Sequence, residues 1–250
     1  MILVHGFGHA SWCWSPVTER LAGRGVASVA VDLDGHGLKS TMPATSVTAS
    51  SAAATLVEQI RRIGQGEPAV VVAHSMGGIV ATAAAELEPA LFARIVYVAA
   101  FAPAAGRSAF AYLGEPEFAG SLVAGLLTGD PAQTGRLEID LTNRPAIREA
   151  FYGDVDPQTA DAAIDLLSPG APIGIPAEAF PVTRDRYGRV PHSFVTCAKD
   201  NAVPVAAQRR FIGEIDAIAT APTRVAELDT AHSPFLSRPD DLVGAILDLC

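Results

Sequence analysis

The stretch Val70-Val71-Val72-Ala73-His74-Ser75-Met76-Gly77-Gly78 constrains what this chain can fold into more than any other. A β-branched apolar run passes through small residues into an Ala-rich segment with helical spacing, so a strand must become a helix at a single residue. Such a turn strains the serine backbone and presses its neighbours against adjacent main chain, which only small side chains permit. The hydroxyl then stands clear of the helix, while the first helical N–H groups face developing negative charge. Position 73 is Ala where the Gly-x-Ser-x-Gly pattern has Gly; Gly77 and Gly78 satisfy the other side. Ser75 is therefore a candidate nucleophile.

A serine hydroxyl needs an adjacent base, normally histidine, whose second nitrogen is oriented by a carboxylate. Of the six histidines, His5 and His9 flank a glycine loop, His36 falls in a turn, His74 precedes the serine and His192 opens a strand. His232, in Asp229-Thr230-Ala231-His232-Ser233-Pro234, follows the last strand and precedes the last helix, and is the candidate base. Asp200, after the strand at 193–198 and before Pro204, is the candidate acid. Asp229 is too near His232 in the chain, and Asp32 and Asp34 end a different strand. An oxyanion hole needs two preorganised N–H donors; Met76 offers one and Phe7, in the loop Val4-His5-Gly6-Phe7-Gly8, the other.

Competing chemistries fare worse. The glycine loop contains neither a phosphate-binding G-x-x-x-x-G-K-[ST] nor a regular G-x-G-x-x-G. His5 and His9 have metal-like spacing, but Gly-Phe-Gly between them argues against the helix that would put both on one face. Cys13, within Trp12-Cys13-Trp14, reads as core. No metal and no cofactor are expected.

Short β-branched runs (2–4, 26–32, 69–73, 94–100, 193–198, 223–228) alternate with helical patterns (15–22, 48–63, 76–87, 205–215, 239–249). That alternation predicts an α/β fold, a mostly parallel sheet flanked by helices. The Ala/Ser/Thr-rich patch at 44–55 reads as the start of a helix, and Ser237 with Asp240 reads as a capping box for the last one. From Pro103 to Gly188 the alternation breaks into short apolar pieces (118–127, 146–151, 161–167). The expected organisation is a core at 1–102 and 189–250 with a helical cap inserted at 103–188.

Composition narrows the partners. The 250 residues are 49% hydrophobic and 18% charged, too apolar for disorder. A net charge of −9 argues against nucleic acid. No apolar run reaches the ~18 residues of a membrane span. Three widely spaced cysteines fit a reducing compartment, and the absence of a signal-like start favours the cytoplasm. A monomer or homodimer is expected.

The chain resembles the α/β-hydrolase superfamily, especially the branch of plant methylesterases, hydroxynitrile lyases and their bacterial relatives. The resemblance rests on His5-Gly6 followed by Trp12-Cys13-Trp14, on Asp32-Leu33-Asp34-Gly35-His36-Gly37, on the serine turn, and on Ala99-Ala100-Phe101-Ala102-Pro103. It extends to the segment from Cys197 to Pro204 and to Ala231-His232. The order Ser75, Asp200, His232 is that superfamily's chain order. The resemblance implies cofactor-free ester hydrolysis with those three roles. The lyases carry Thr where this chain has Gly6 and Lys where it has Ser233, so this chain sides with the esterases. Dehalogenases and epoxide hydrolases of the same fold carry Asp in place of Ser75.

The expected activity is hydrolysis of a small hydrophobic carboxylic ester or lactone. Phe110, Tyr112, Phe118, Phe151 and Phe180 are the candidate apolar contacts. Lyase, acyltransferase or carbon–carbon hydrolase chemistry with the same residues is an alternative, as is a non-catalytic ligand-binding protein on this scaffold.

Overall fold

A computed structural model describes residues 1–250. Nine strands run in chain order: β1 (Ile2–Val4), β2 (Val29–Val31), β3 (Ala69–His74), β4 (Phe92–Val98), β5 (Leu127–Thr128), β6 (Arg136–Ile139), β7 (Gly170–Pro172), β8 (His192–Cys197) and β9 (Arg224–Leu228). The helices are α1 (Ser15–Gly23), α2 (Ala49–Ile63), α3 (Gly77–Leu87), α4 (Pro131–Thr134), α5 (Arg144–Phe151), α6 (Pro157–Asp165), α7 (Gly174–Ala177), α8 (Val205–Ile218), α9 (Pro234–Ser237) and α10 (Pro239–Leu249). Six strands form one sheet in the order β2-β1-β3-β4-β8-β9, every neighbouring pair parallel.

Helices cover both faces, which is why the central strands are apolar on both sides. Leu3, Val72, Val96 and Val195 pack with α1 and α10 on one face. Ile2, Val71, Ile95 and Phe194 pack with α2, α3 and α8 on the other. Each fully buried Val or Ile contributes about 1.5–3 kcal/mol, so the strand carrying the serine turn is anchored at the centre of the core. No helix is long and apolar enough to cross a membrane.

The predicted capping box of the last helix does not form. Ser237 ends α9 and donates its N–H to the Ser233 carbonyl, and Arg238 takes the cap position without a side-chain hydrogen bond. A capping box forms instead at α2, where Thr48 Oγ1 accepts from the Ser51 N–H and Ser51 Oγ accepts from the Thr48 N–H.

The segment between β4 and β8 is not purely helical. Besides α4 to α7 it holds an antiparallel three-stranded sheet, β5-β6-β7, with Leu127 opposite Ile139 and Leu137 opposite Ala171. These strands have two, four and three residues. Runs that short have no readable period, and β7 joins β6 only across the intervening α5 and α6.

Candidate active site

Ser75, Asp200 and His232 sit on loops after β3, β8 and β9, so parallel strands deliver all three to one edge of the sheet. Ser75 adopts the left-handed conformation, φ 51°. Its N–H donates to the Val98 carbonyl (3.2 Å), and its own carbonyl accepts from Phe101 (3.0 Å) and from Gly78 (3.0 Å). A Cβ on Gly77 would collide with the His5 carbonyl, and one on Gly78 with the Phe101 carbonyl. The two glycines are what let the turn seat between neighbouring loops.

His232 Nε2 lies 3.0 Å from Ser75 Oγ, and His232 Nδ1 lies 2.8 Å from Asp200 Oδ2. The carboxylate accepts, so Nδ1 carries the proton and Nε2 presents its lone pair to the serine. All three residues are buried. Asp200 Oδ1 accepts from the Ala202 N–H (2.7 Å) and the Val203 N–H (2.8 Å). The rival carboxylates are engaged elsewhere. Asp229 is exposed and pairs with Lys199; Asp32 accepts from the Ser11 and Leu38 N–H groups; Asp34 holds Lys39 and Thr55. Those backbone donors outweigh desolvation and keep the Asp32 carboxyl below its usual range.

Sequence reasoning missed Gln208. Fully buried on α8, its Nε2 donates to Asp200 Oδ2 (3.2 Å) and to the Val203 carbonyl (2.7 Å), while its Oε1 accepts from the Cys197 N–H (2.9 Å). The signal was a lone amide on the helix face otherwise formed by Ala207, Phe211 and Ile215.

Phe7 and Met76 both line the cavity above Ser75, and neither N–H donates to a protein acceptor. The Gly6–Phe7 peptide is oriented from behind. The Leu33 N–H donates to His5 Nε2 (3.0 Å), so His5 Nδ1 carries the proton and donates to the Gly6 carbonyl (2.8 Å). In a trans peptide the C=O and the next N–H leave from opposite edges, so anchoring the Gly6 oxygen turns the Phe7 N–H away from His5. A Cβ on Gly6 would stand 2.6 Å from Ser75 Cβ, so residue 6 has room for no side chain.

Burial holds the remaining histidines neutral, lowering His5 to about 3 and His9, His36 and His192 to about 4. His74 is also held well below the ordinary histidine value, first by burial and then by the charge of the neighbouring His232 ring, while the His232 carbonyl 2.9 Å from His74 Nε2 opposes the shift. Cys13 is buried and its thiol is pushed up by desolvation, in keeping with a core role.

The cavity encloses about 150 Å³. Phe110, Phe118 and Phe151 line it; Tyr112 and Phe180 do not. Tyr112 is turned toward Arg107, Arg210 and Phe211 with its hydroxyl on Glu214, and Phe180 joins the main core. Further walls come from Ile79, Leu113, Val123, Leu127 and Leu137. Ser75 and Ser121 are the only polar side chains, and Ser121 Oγ is spent on the Ala202 carbonyl. No charged residue lines the cavity.

Comparison with known proteins agrees with this architecture. Residues 1–245 match the model of the alpha/beta hydrolase family. Methylesterase 7 of Arabidopsis thaliana is 31% identical over 255 residues, covering 99% of this chain and 95% of the relative. Among solved structures, a pyrethroid hydrolase from Sphingobium faniae superposes with a TM-score of 0.85 at 23% identity, covering 99% of this chain and 95% of that one. Polyneuridine aldehyde esterase superposes at 0.81 with 24% identity, covering 99% and 97%. The chain belongs to the alpha/beta hydrolase family, in the esterase branch that includes the plant methylesterases.

Proposed function

We propose that this protein hydrolyses small, uncharged, hydrophobic carboxylic esters or lactones through an acyl-enzyme on Ser75. His232 takes the Ser75 proton as Oγ attacks the carbonyl carbon, and Asp200 orients and stabilises the resulting imidazolium. The carbonyl oxygen becomes an oxyanion facing the Phe7 and Met76 N–H groups, each worth about 2.7–4 kcal/mol to the transition state. His232 then protonates the leaving alkoxide. In the second half-reaction it deprotonates a water that attacks the acyl carbon, returning Ser75 and releasing the acid. The segment at 103–188 acts as the cap that excludes bulk water and supplies the hydrophobic walls.

The observation that carries this reading is the continuous relay from Ser75 Oγ to His232 to Asp200, at 3.0 and 2.8 Å, opening into an apolar cavity. Lyase chemistry with cyanide as leaving group is disfavoured, because no cation lines the cavity and Ser233 stands where the lyases have lysine. The test is a fluorophosphonate probe followed by peptide mass spectrometry, alongside p-nitrophenyl butyrate turnover. The adduct is expected on Ser75, and Ser75→Ala is expected to lose label and turnover together. Label elsewhere, or turnover surviving in Ser75→Ala, overturns the assignment; tight ligand binding without turnover favours a binding protein instead.

A further inference from the structure

The loop that carries the Phe7 N–H is gripped from the covering segment through a second imidazole. His9 Nδ1 lies 2.8 Å from the Phe7 carbonyl oxygen, and His9 Nε2 lies 2.8 Å from Tyr152 Oη, just beyond α5. A carbonyl only accepts, so Nδ1 must carry the proton. Nε2 is then an acceptor and the Tyr152 hydroxyl is the donor. Both residues are buried, Tyr152 Oη has no other partner, and desolvation keeps the imidazole neutral at an ordinary pH. The His9 N–H also donates to the Gly6 carbonyl (3.3 Å), and the Gly8 carbonyl accepts from Ser168 in the covering segment (2.8 Å). Carbonyls on both sides of Phe7 are therefore held, and two of the four hydrogen bonds to the carbonyls of Gly6, Phe7 and Gly8 come from His9, the others from His5 and Ser168.

We propose that His9 and Tyr152 are positioning residues for the oxyanion hole: the Tyr152 hydroxyl anchors the His9 ring at Nε2 while Nδ1–H grips the Phe7 carbonyl, and through that ring the covering segment holds the loop that carries the Phe7 N–H. This rests on the ester-hydrolase reading above. Without the hydroxyl, the buried Nε2 lone pair is left unpaired and the ring loses its anchor to the covering segment. The ring shifts, its Nδ1–H grip on the Phe7 oxygen slackens, and the Phe7–Gly8 peptide moves, carrying with it the Gly6–Phe7 peptide that shares the Phe7 Cα. Donor placement is lost while the hydrophobic walls stay in place. The expected signature is a fall in kcat with KM preserved, since the oxyanion exists only in the transition state.

The test compares wild type, Tyr152→Phe, His9→Asn, His9→Ala and the double variant His9→Asn/Tyr152→Phe on p-nitrophenyl butyrate. Each is also titrated with butylboronic acid, whose Ser75 adduct places an oxygen in the oxyanion position. Misplacing one such group costs up to about a hundredfold. Tyr152→Phe is expected to lower kcat about 10- to 100-fold with KM within twofold, and to weaken boronic acid inhibition by the same factor. His9→Asn keeps an N–H near the Nδ1 position and is expected to retain more kcat than His9→Ala; adding Tyr152→Phe to it should change nothing further. A Tyr152→Phe kcat within twofold of wild type, an effect on KM alone, or independent effects that multiply in the double variant overturns the proposal. If Tyr152→Phe does not fold, equal kcat in His9→Asn and His9→Ala overturns it. Wild-type turnover that survives Ser75→Ala instead defeats the hydrolase reading, so the two failures are distinguishable.

Discussion

Ser75 and Ala99 are left-handed residues, φ 51° and 46°, at the carboxyl ends of the adjacent strands β3 and β4. The ladder between the strands continues through them: the Ser75 N–H donates to Val98, and the Phe101 N–H donates back to Ser75. The strained turn at Ser75 thus leans on a second strained turn, and Ala99 sets where Phe101, one wall of the cavity, is held.

Ala99 tolerates this conformation because its side chain is a single methyl in a fully buried site. A left-handed residue costs about 1–2 kcal/mol, and a β-branched one adds clash and overpacking of about 1–3 kcal/mol. Because Ala99 already bears the left-handed cost, Ala99→Val is expected to lower unfolding free energy by the added clash alone, about 1–3 kcal/mol in urea titration. A loss under about 0.5 kcal/mol would show that the β4 turn is not constrained as described.

Gln208 ties the Asp200 carboxylate to the end of β8. Replacing it by Leu leaves the buried Cys197 N–H and Val203 carbonyl unpaired, at about 1–3 kcal/mol each, and releases one of the hydrogen bonds that fix Asp200. Gln208→Leu is expected to reduce both stability and kcat, with KM little changed. Wild-type kcat in a folded Gln208→Leu protein would mean that Asp200 is held adequately by the Ala202 and Val203 N–H groups.

The cavity offers an anion no partner. Burying an unpaired carboxylate costs several kcal/mol, so kcat/KM for p-nitrophenyl butyrate is expected to exceed that for p-nitrophenyl hydrogen succinate, an ester of similar length bearing a free carboxylate, by about a hundredfold or more. Comparable values for the two esters would argue against the apolar walls as the selecting surface.

The buried histidines make stability fall in acid. His5, His9, His36 and His192 have folded-state pKa values of about 3 to 4, below the ordinary histidine value in the unfolded chain. The unfolded state therefore binds more protons between about pH 6.5 and pH 4, and stability drops as pH falls through that window, by just over 1 kcal/mol per pH unit for each histidine. His192 is the simplest to test, since its ring is buried with both nitrogens unpaired and packs 4.4 Å from Tyr187. His192→Phe is expected to flatten the decline of Tm between pH 6.5 and 4.5. A slope equal to wild type would exclude His192 as a contributor.

Much of this protein was legible in local sequence. The strand, small residues and helix around Ser75 specify a strained serine because backbone sterics act over a few residues, and strands β1 and β3 and helix α10 fall within a residue of their predicted bounds. Predicted β4 began and ended two residues late, since no periodicity records that Ala99 turns left-handed. The capping box read at Ser237 failed because that serine is drawn into α9, a tertiary arrangement that its neighbours in sequence do not encode.

Sequence by itself determined the elements, their alternation and the residue types able to do serine chemistry, because each depends on neighbours a turn or a pleat away. Tertiary structure alone decided what meets what. It brought His232 to Ser75 across 157 residues, left Asp229 on the surface, and built β5-β6-β7 from runs too short to be read. It also made His5, His9 and Gln208 supports of the site, when the chain presents them as loop histidines and a helix amide. Contacts of that range depend on which surfaces the core brings together, and no local pattern carries that information.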